Sequence, residues 1–430
     1  MNRITWLSAS LLLTFSGLSQ GVFAQDGTVV LSGARVIDGT GAAAIEQASV
    51  VISDGRIDAV GATASMTLPA DATHIDVSGK TIIPGLINAH GHLNADRSNR
   101  SVRDKLLYQL RVTADYGVTT VVVLGSGDGD LEETVRLGDE QESGPLDRAR
   151  VYVAGPSLRD FRTEAEARDA VDAMADARAD VIKIHITGGP NDMTPAVYGA
   201  LIDQAHTRGL RVAAHLYYLD DAHGLVDAGV DVIGHSVRDL EVDADLIAKI
   251  LSAGIAYTPT LTRDLAQFVY ETTPEFMSDP FFLRREDAFS TEIAMVNDPA
   301  RQEQIRNDEG RQAMKPALEL AYTNLKTLSD AGVLVALGTD SGTNLGQWLG
   351  YFEHTEMEMM VDAGMTPAQV IYAATGAAAR SMELEDELGT LQPGMRADLV
   401  VLNANPLDDI RATREIDSVW IAGSPLTDLP

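Results

Sequence analysis

Cysteine is absent from the 430 residues. That excludes disulfides, thiolate metal sites, a cysteine nucleophile and a cysteine-linked lipid anchor. It also suits an oxidising compartment, where a stray thiol is a liability. Basic residues are scarce: 33 Lys and Arg stand against 63 Asp and Glu, a formal charge of −30. The acidic residues are spread along the chain rather than gathered in a tail. Nucleic acid, which needs a basic face, is therefore disfavoured as a partner, and a solvated acidic surface accounts for the charge. Long hydrophobic runs are missing as well. The most extended, Ile4 to Leu18, is broken by serines and too short for a membrane span.

That run has a different use. Met1-Asn-Arg3 before it and Val22-Phe-Ala24 after it complete the three parts of a secretory leader. The expectation is a signal peptide over 1–24, cleaved after Ala24, and a secreted protein, periplasmic in a Gram-negative source. Loss of Arg3 with the leader takes the formal charge from −30 to −31.

With 45% hydrophobic residues the chain has an ordinary globular composition. Its length predicts one large α/β domain plus a smaller module. Residues 28–81 read as short Val-rich strands with Asp-Gly turns at Asp38-Gly39 and Asp54-Gly55, the signature of hairpins. From Thr81 strands alternate with helices, which predicts a parallel sheet. Strands are expected at 81–87, 119–124, 150–154, 180–185, 210–215, 231–235, 255–259 and 333–340. Helices are expected at 101–116, 164–177, 195–208, 220–228, 244–253, 313–331, 351–363 and 366–382. The stretch 261–312 shows no clean periodicity and reads as a long lid or binding loop. Eight strands with helices between them match a (β/α)8 TIM barrel. From Leu388 the pattern returns to strands and turns. Neither end is long enough to fold alone, so the expected organisation is a β-sandwich composed of 25–83 plus 388–430, flanking a barrel over 84–387. No repeat is evident.

Histidine is also sparse, and its placement is informative. Five of the nine, His90, His92, His185, His215 and His235, fall at predicted strand ends, where barrel active sites lie. His90 and His92, two apart in extended chain, point the same way and can share a cation. Asp340 ends the eighth strand, and Lys183 lies two residues before His185. His74, His206, His223 and His354 fall in the small module or on helices and read as structural or solvated. An ammonium at Lys183 has no lone pair for a metal; it would serve as a salt-bridge partner or, after reaction with carbon dioxide, as a carbamate.

These motifs together resemble the amidohydrolase superfamily, in its branch with two metals and a carboxylated lysine, which includes prolidase- and dipeptidase-like members and imidazolonepropionase. The residues concerned are Pro84-Gly-Leu-Ile-Asn-Ala-His90-Gly-His92, Ile182-Lys183-Ile184, Ala214-His215, Gly234-His235, Gly338-Thr-Asp340 and the closing segment Leu391 to Val401. Many relatives carry Glu before the sixth-strand histidine, where Gly234 stands here. The resemblance implies that His90, His92 and Asp340 hold one divalent cation and His215 and His235 a second. It makes Lys183, as N6-carboxylysine, the bridge between them, with zinc the default metal. It further implies a shared hydroxide as nucleophile and Asp340 as general base and then acid.

Substrate contacts are expected from His185, facing the same side as Lys183, and from Tyr217 and Tyr218 near the pocket mouth. Arg238 reads either as a ligand for a substrate carboxylate or as an exposed salt bridge, and Thr187-Gly-Gly189 as a turn. The function implied is hydrolysis of an amide C–N bond in an N-acyl amino acid or dipeptide-like substrate. Lactone, carbamate or phosphotriester hydrolysis by the same site, and a non-catalytic scaffold, are the alternatives. The expected partner is a small-molecule substrate, with no nucleic acid and no membrane span; homo-oligomerisation is left open.

Overall fold

Valine-rich runs with Asp-Gly turns build the first sheet. The computed structural model describes residues 27–94, 96, 98–126, 130–142 and 146–427. The expected leader and its cleavage site lie outside them. β1 (Val29–Val36), β2 (Ile45–Ser53) and β3 (Arg56–Ala62) form an antiparallel run. Asp54 and Gly55 between β2 and β3 both have positive φ, 51° and 75°, as a tight hairpin turn with right-handed strand twist requires. β4 (Thr73–Asp76) and β5 (Thr81–Pro84) then pair parallel to β1.

The first expected strand is in fact two. It breaks at Gly85, where a Cβ would lie 2.0 Å from the Thr119 hydroxyl oxygen, and resumes as β6 (Leu86–Gly91) in a different sheet. β6, β7 (Val118–Val123) and β8 (Arg150–Val153) form a three-stranded parallel sheet. β9 (Ile182–His185), β10 (Val212–His215), β11 (Val232–Ile233), β12 (Ala256–Tyr257) and β13 (Leu334–Val335) form a five-stranded one. The expected single barrel ladder is therefore two parallel arcs among the described residues. Backbone hydrogen bonds bridge them at both edges. On one side Leu158 N–H donates to the Lys183 carbonyl (2.8 Å) and His185 N–H to Leu158 (3.2 Å); on the other Ala89 N–H donates to Leu337 (2.9 Å) and Asp340 N–H to His90 (2.7 Å).

Helices fill the connections. α1 (Val102–Asp115) starts at Ser101, whose hydroxyl accepts from Asp104 N–H, and α2 (Leu131–Glu140) is a helix the periodicity did not predict. α3 (Glu164–Asp176) opens with a Thr163–Glu166 capping box, which satisfies donors that the first turn leaves unpaired. α4 (Pro195–Thr207) and α5 (Leu219–Asp227) follow, then α6 (Ala244–Ala253), which ends on left-handed Gly254. The stretch expected to be a long loop is largely helical: α7 (Leu261–Phe268), α8 (Pro280–Leu283), α9 (Glu286–Val296) and α10 (Pro299–Asn307). Its helices pack Tyr270, Phe282 and Phe289 with Trp348, Tyr351 and Phe352 into an aromatic core. α11 (Glu309–Asp330) leads to β13, and α12 (Tyr351–Asp362) to the last pair. The single helix expected over 366–382 is split at Thr375 into α13 (Pro367–Ala373) and α14 (Gly376–Ser381).

β14 (Leu399–Leu402), β15 (Ile416–Ile421) and β16 (Ser424–Pro425) return to the first sheet, with β14 antiparallel to β5. Both chain ends thus share one eight-stranded sheet. Side chains on successive strand residues face opposite ways. Leu399 and Val401 join a small core with Val29, Leu31 and Trp420, whereas Val400 and Leu402 join the main α/β core. Burial on both faces explains why this strand is apolar without alternation. Among the described residues no helix is long and apolar enough to cross a membrane.

Candidate metal centre

The six expected ligand positions are brought together at the C-terminal ends of the parallel strands. β6 carries His90 and, just beyond it, His92, with ring centroids 5.8 Å apart. Asp340, past β13, places Oδ1 2.8 Å from His92 Nε2 and 3.5 Å from His90 Nε2. Lys183 on β9 sets Nζ 3.0 Å from His90 Nε2. The His235 ring lies 4.6 Å from that of His90 and 4.2 Å from that of His215. One donor atom each from His90, His235 and Asp340 falls within 4.8 Å of the others, a cluster that could hold a metal ion.

The protonation states suit that use. Burial first, then the neighbouring charges, pushes His90, His215 and His235 well below the usual imidazole range, so their rings are neutral and keep a lone pair. His92 Nδ1 lies 2.8 Å from the Gly125 carbonyl, which can only accept; the ring proton sits there and Nε2 is left as donor to a cation. His235 Nδ1 is similarly tied to the Thr260 hydroxyl at 2.7 Å. Burial pushes the Asp340 carboxyl up, but the contact with His92 and the nearby guanidinium of Arg263 outweigh it and hold the group well below the usual carboxylate range. Burial pushes the Lys183 ammonium down to about 7. An amine that is about half neutral at pH 7 and more so above can act as a nucleophile towards carbon dioxide. Neutral imidazoles, an ionised carboxylate and a neutral amine are a donor set that fits divalent cations.

The departure at Gly234 has a steric reason. A Cβ there would lie 2.8 Å from the Ala214 carbonyl oxygen and 3.1 Å from Lys183 Nζ. A side chain at 234 would crowd the lysine.

A cleft of about 490 Å³ opens beside the centre, lined by His215, Tyr217, Tyr218, Arg238, Arg263 and Gln267 among others. Tyr218 is 41% exposed at the rim, and its ring packs where a Cβ on Gly188 would be. The expected turn lies just beyond 187–189: the chain bends at Gly188 and turns at Pro190-Asn191, where the Asp192 carboxylate accepts from the Gly189 N–H at 3.1 Å. His185 is half-buried, its ring 3.8 Å from that of His215. Burial, with Lys183 and Arg159 nearby, pushes it down to about 4, and its Nε2 meets no protein partner. Arg238 differs from expectation: its salt bridge is buried, with Nε 3.1 Å from Asp264 Oδ2 and the guanidinium over the Tyr217 ring.

Two features escaped the sequence. Arg263, on α7, puts Nη1 2.8 Å from Asp264 Oδ1 and Nε 3.8 Å from Asp340 Oδ2; it lies in the stretch without periodicity and carried no local signal. Asn88 lies one residue pair before His90 on the same face of β6, and its Oδ1 accepts from His90 N–H at 2.9 Å. An amide inside the apolar run Leu86–Ala89 was the clue. The four remaining histidines are held by protein groups: His74 by the Pro69 carbonyl, His206 by Asp231, His223 by Asp243, His354 by the Tyr116 carbonyl.

The chain belongs to the amidohydrolase family, whose model matches residues 81–426. An uncharacterised protein of Mycobacterium tuberculosis is 29% identical over 225 residues, 49% of this chain and 56% of that protein. The chain thus spans little more than half the length of that relative. The imidazolonepropionase of Mycolicibacterium smegmatis is 27% identical over 385 residues, 84% of this chain and 85% of the relative. Among solved structures, a candidate prolidase from Bifidobacterium longum superposes with TM-score 0.74 at 28% identity, covering 93% of this chain and 94% of the other.

Proposed function

We propose that the protein is an exported, binuclear metal-dependent hydrolase that cleaves the amide C–N bond of an N-acyl amino acid or dipeptide-like substrate. The observation that carries this reading is the meeting of His90, His92, Lys183, His215, His235 and Asp340 at one end of the parallel strands. In this reading the two arcs are one (β/α)8 barrel over 84–387, supported by the hydrogen bonds that bridge both edges, and the composite sheet is a separate module of 25–83 and 388–430.

His90, His92 and Asp340 would hold one cation and His215 and His235 another. Lys183 would bridge them after its neutral amine forms an N–C bond to carbon dioxide and loses a proton; the space left by Gly234 supports this. When bound, divalent cations, zinc by default for this donor set, supply carbonyl polarisation and a lowered water pKa. Asp340 Oδ1 faces His92 and His90, while Oδ2, with Arg263 Nε 3.8 Å away, would take a proton from the attacking water and return it to the leaving nitrogen. Amides need that return, since an amide anion leaves poorly. His185, with Nε2 unpartnered, would polarise or anchor the substrate, and Tyr217 and Tyr218 would frame it.

The guanidinium of Arg263 on the cleft wall supports an anionic substrate in an otherwise acidic protein. Prolidase is the activity named for the similar Bifidobacterium longum protein, which supports the dipeptide-like class. Arg238, engaged by Asp264 and Tyr217, shapes that wall.

Metal analysis with a substrate panel tests the proposal. The expected result is two divalent cations per chain and turnover of N-acyl amino acids or dipeptides above lactones. A zinc-loaded enzyme that turns over lactones or phosphotriesters and no amide would replace the substrate class. Less than one ion per chain would overturn the metal reading.

A further inference from the structure

Helix α12 carries two fully buried glutamates three residues apart, Glu353 and Glu356, a spacing that puts both on one face. They reach opposite sides of the centre. Glu353 Oε1 accepts from Asn88 Nδ2 at 2.6 Å and from the Ser341 hydroxyl at 2.8 Å. Asn88 in turn fixes the His90 backbone, and Ser341 follows Asp340 directly. Glu356 Oε1 accepts from Leu261 N–H at 2.6 Å; its Oε2 accepts from Thr262 N–H and the Thr262 hydroxyl, both at 2.7 Å. These are the residues after Thr260, whose hydroxyl meets His235 Nδ1.

Thr260 has φ +50°. A β-branched residue in the left-handed region is strained and holds that conformation only where its surroundings enforce it. The three bonds from Glu356 to the next two residues are such an enforcement. They start α7 at once after Thr260, which aims the threonine hydroxyl at the histidine and Arg263 at the cleft.

We infer that α12 is the positioning element of the centre, Glu353 setting the backbone that carries His90 and Asp340, and Glu356 holding Thr260 where it orients His235. The inference rests on the proposed metal site. It makes different demands on the two glutamates. Glu353 Oε2 meets no partner, so a glutamine there keeps the oxygen that is used. Both Glu356 oxygens accept, so a glutamine would turn an NH2 towards a backbone N–H.

The test is zinc affinity of the full chain, read by chelator competition, with the folded state followed by circular dichroism and thermal melting. Loss of an outer partner of a metal ligand weakens affinity by about ten- to hundredfold. Glu356→Ala and Glu356→Gln are both expected to weaken one ion by that factor. Glu353→Ala is expected to weaken the other, and Glu353→Gln to rescue it. Thr260→Val removes the His235 partner without touching α12; it should weaken the same ion as Glu356→Gln and add little in the double variant. Should Glu356→Ala fail to fold, Glu356→Gln and Thr260→Val carry the test. Wild-type affinity in a folded Glu356→Gln chain, additive Thr260 and Glu356 effects, or no rescue by Glu353→Gln would overturn the inference. A wild type that binds no cation would instead overturn the proposed function.

Discussion

Lys183 shows how one side chain changes meaning with its surroundings. In solution its ammonium would be charged at neutral pH; buried beside His90 it is pushed down to about 7. Carbamate formation joins the free amine to carbon dioxide, so at constant dissolved carbon dioxide the zinc uptake of the metal-free protein should rise between about pH 6 and 8 and level off above. A rate flat across that window would remove the amine from the step. Lys183→Ala is expected to lose bound metal and activity, and short carboxylic acids to restore part of both by standing in for the carbamate oxygens; full metal content in the unaided variant would show that the lysine is no bridge. Residues of this kind were legible because histidine is rare and falls at strand ends. Arg263 and Glu356 were not. Their partners, Asp340 and Leu261, lie far along the chain, and no local pattern marks them.

At the scale of elements, helices with strong periodicity and caps were readable almost to the residue: α6 starts at the Asp243 cap and ends on Gly254. The stretch 261–312 was not. Its short helices bury aromatic rings against α12 and the segment before it, so their apolar residues follow the tertiary surface and not a single period. α12 also carries His354, fully buried between the Tyr116 carbonyl and the Thr413 hydroxyl, and burial pushes it from 6.5 to about 3. The fold therefore binds fewer protons than the unfolded chain between those values. Its stabilising contribution is complete above about pH 6.5 and is lost as pH falls towards 3. Thermal melting across pH 3–7 should show a steeper acid decline in wild type than in His354→Gln; equal slopes would remove His354 as a contributor.

The whole molecule is organised by a sheet that both chain ends build. Leu399 and Val400 are adjacent yet enter different cores. Leu399→Ala is expected to cost about 2–5 kcal/mol and Val400→Ala about 1.5–3 kcal/mol, both measurable by denaturant unfolding. In a sheet with one wet face, one of the two would be nearly silent, and that outcome would contradict the arrangement.

The sequence by itself determined the alternation of strands and helices, the pairing of the two ends and the candidate ligands, because period, capping and residue rarity are local properties. Only the tertiary structure decided that the first strand divides at Gly85 between two sheets, that Gly234 makes room beside Lys183, and that α12 reaches both flanks of the centre. Those facts depend on which surfaces meet across as many as 265 residues of chain. Packing sets such meetings, and no stretch of sequence records them alone.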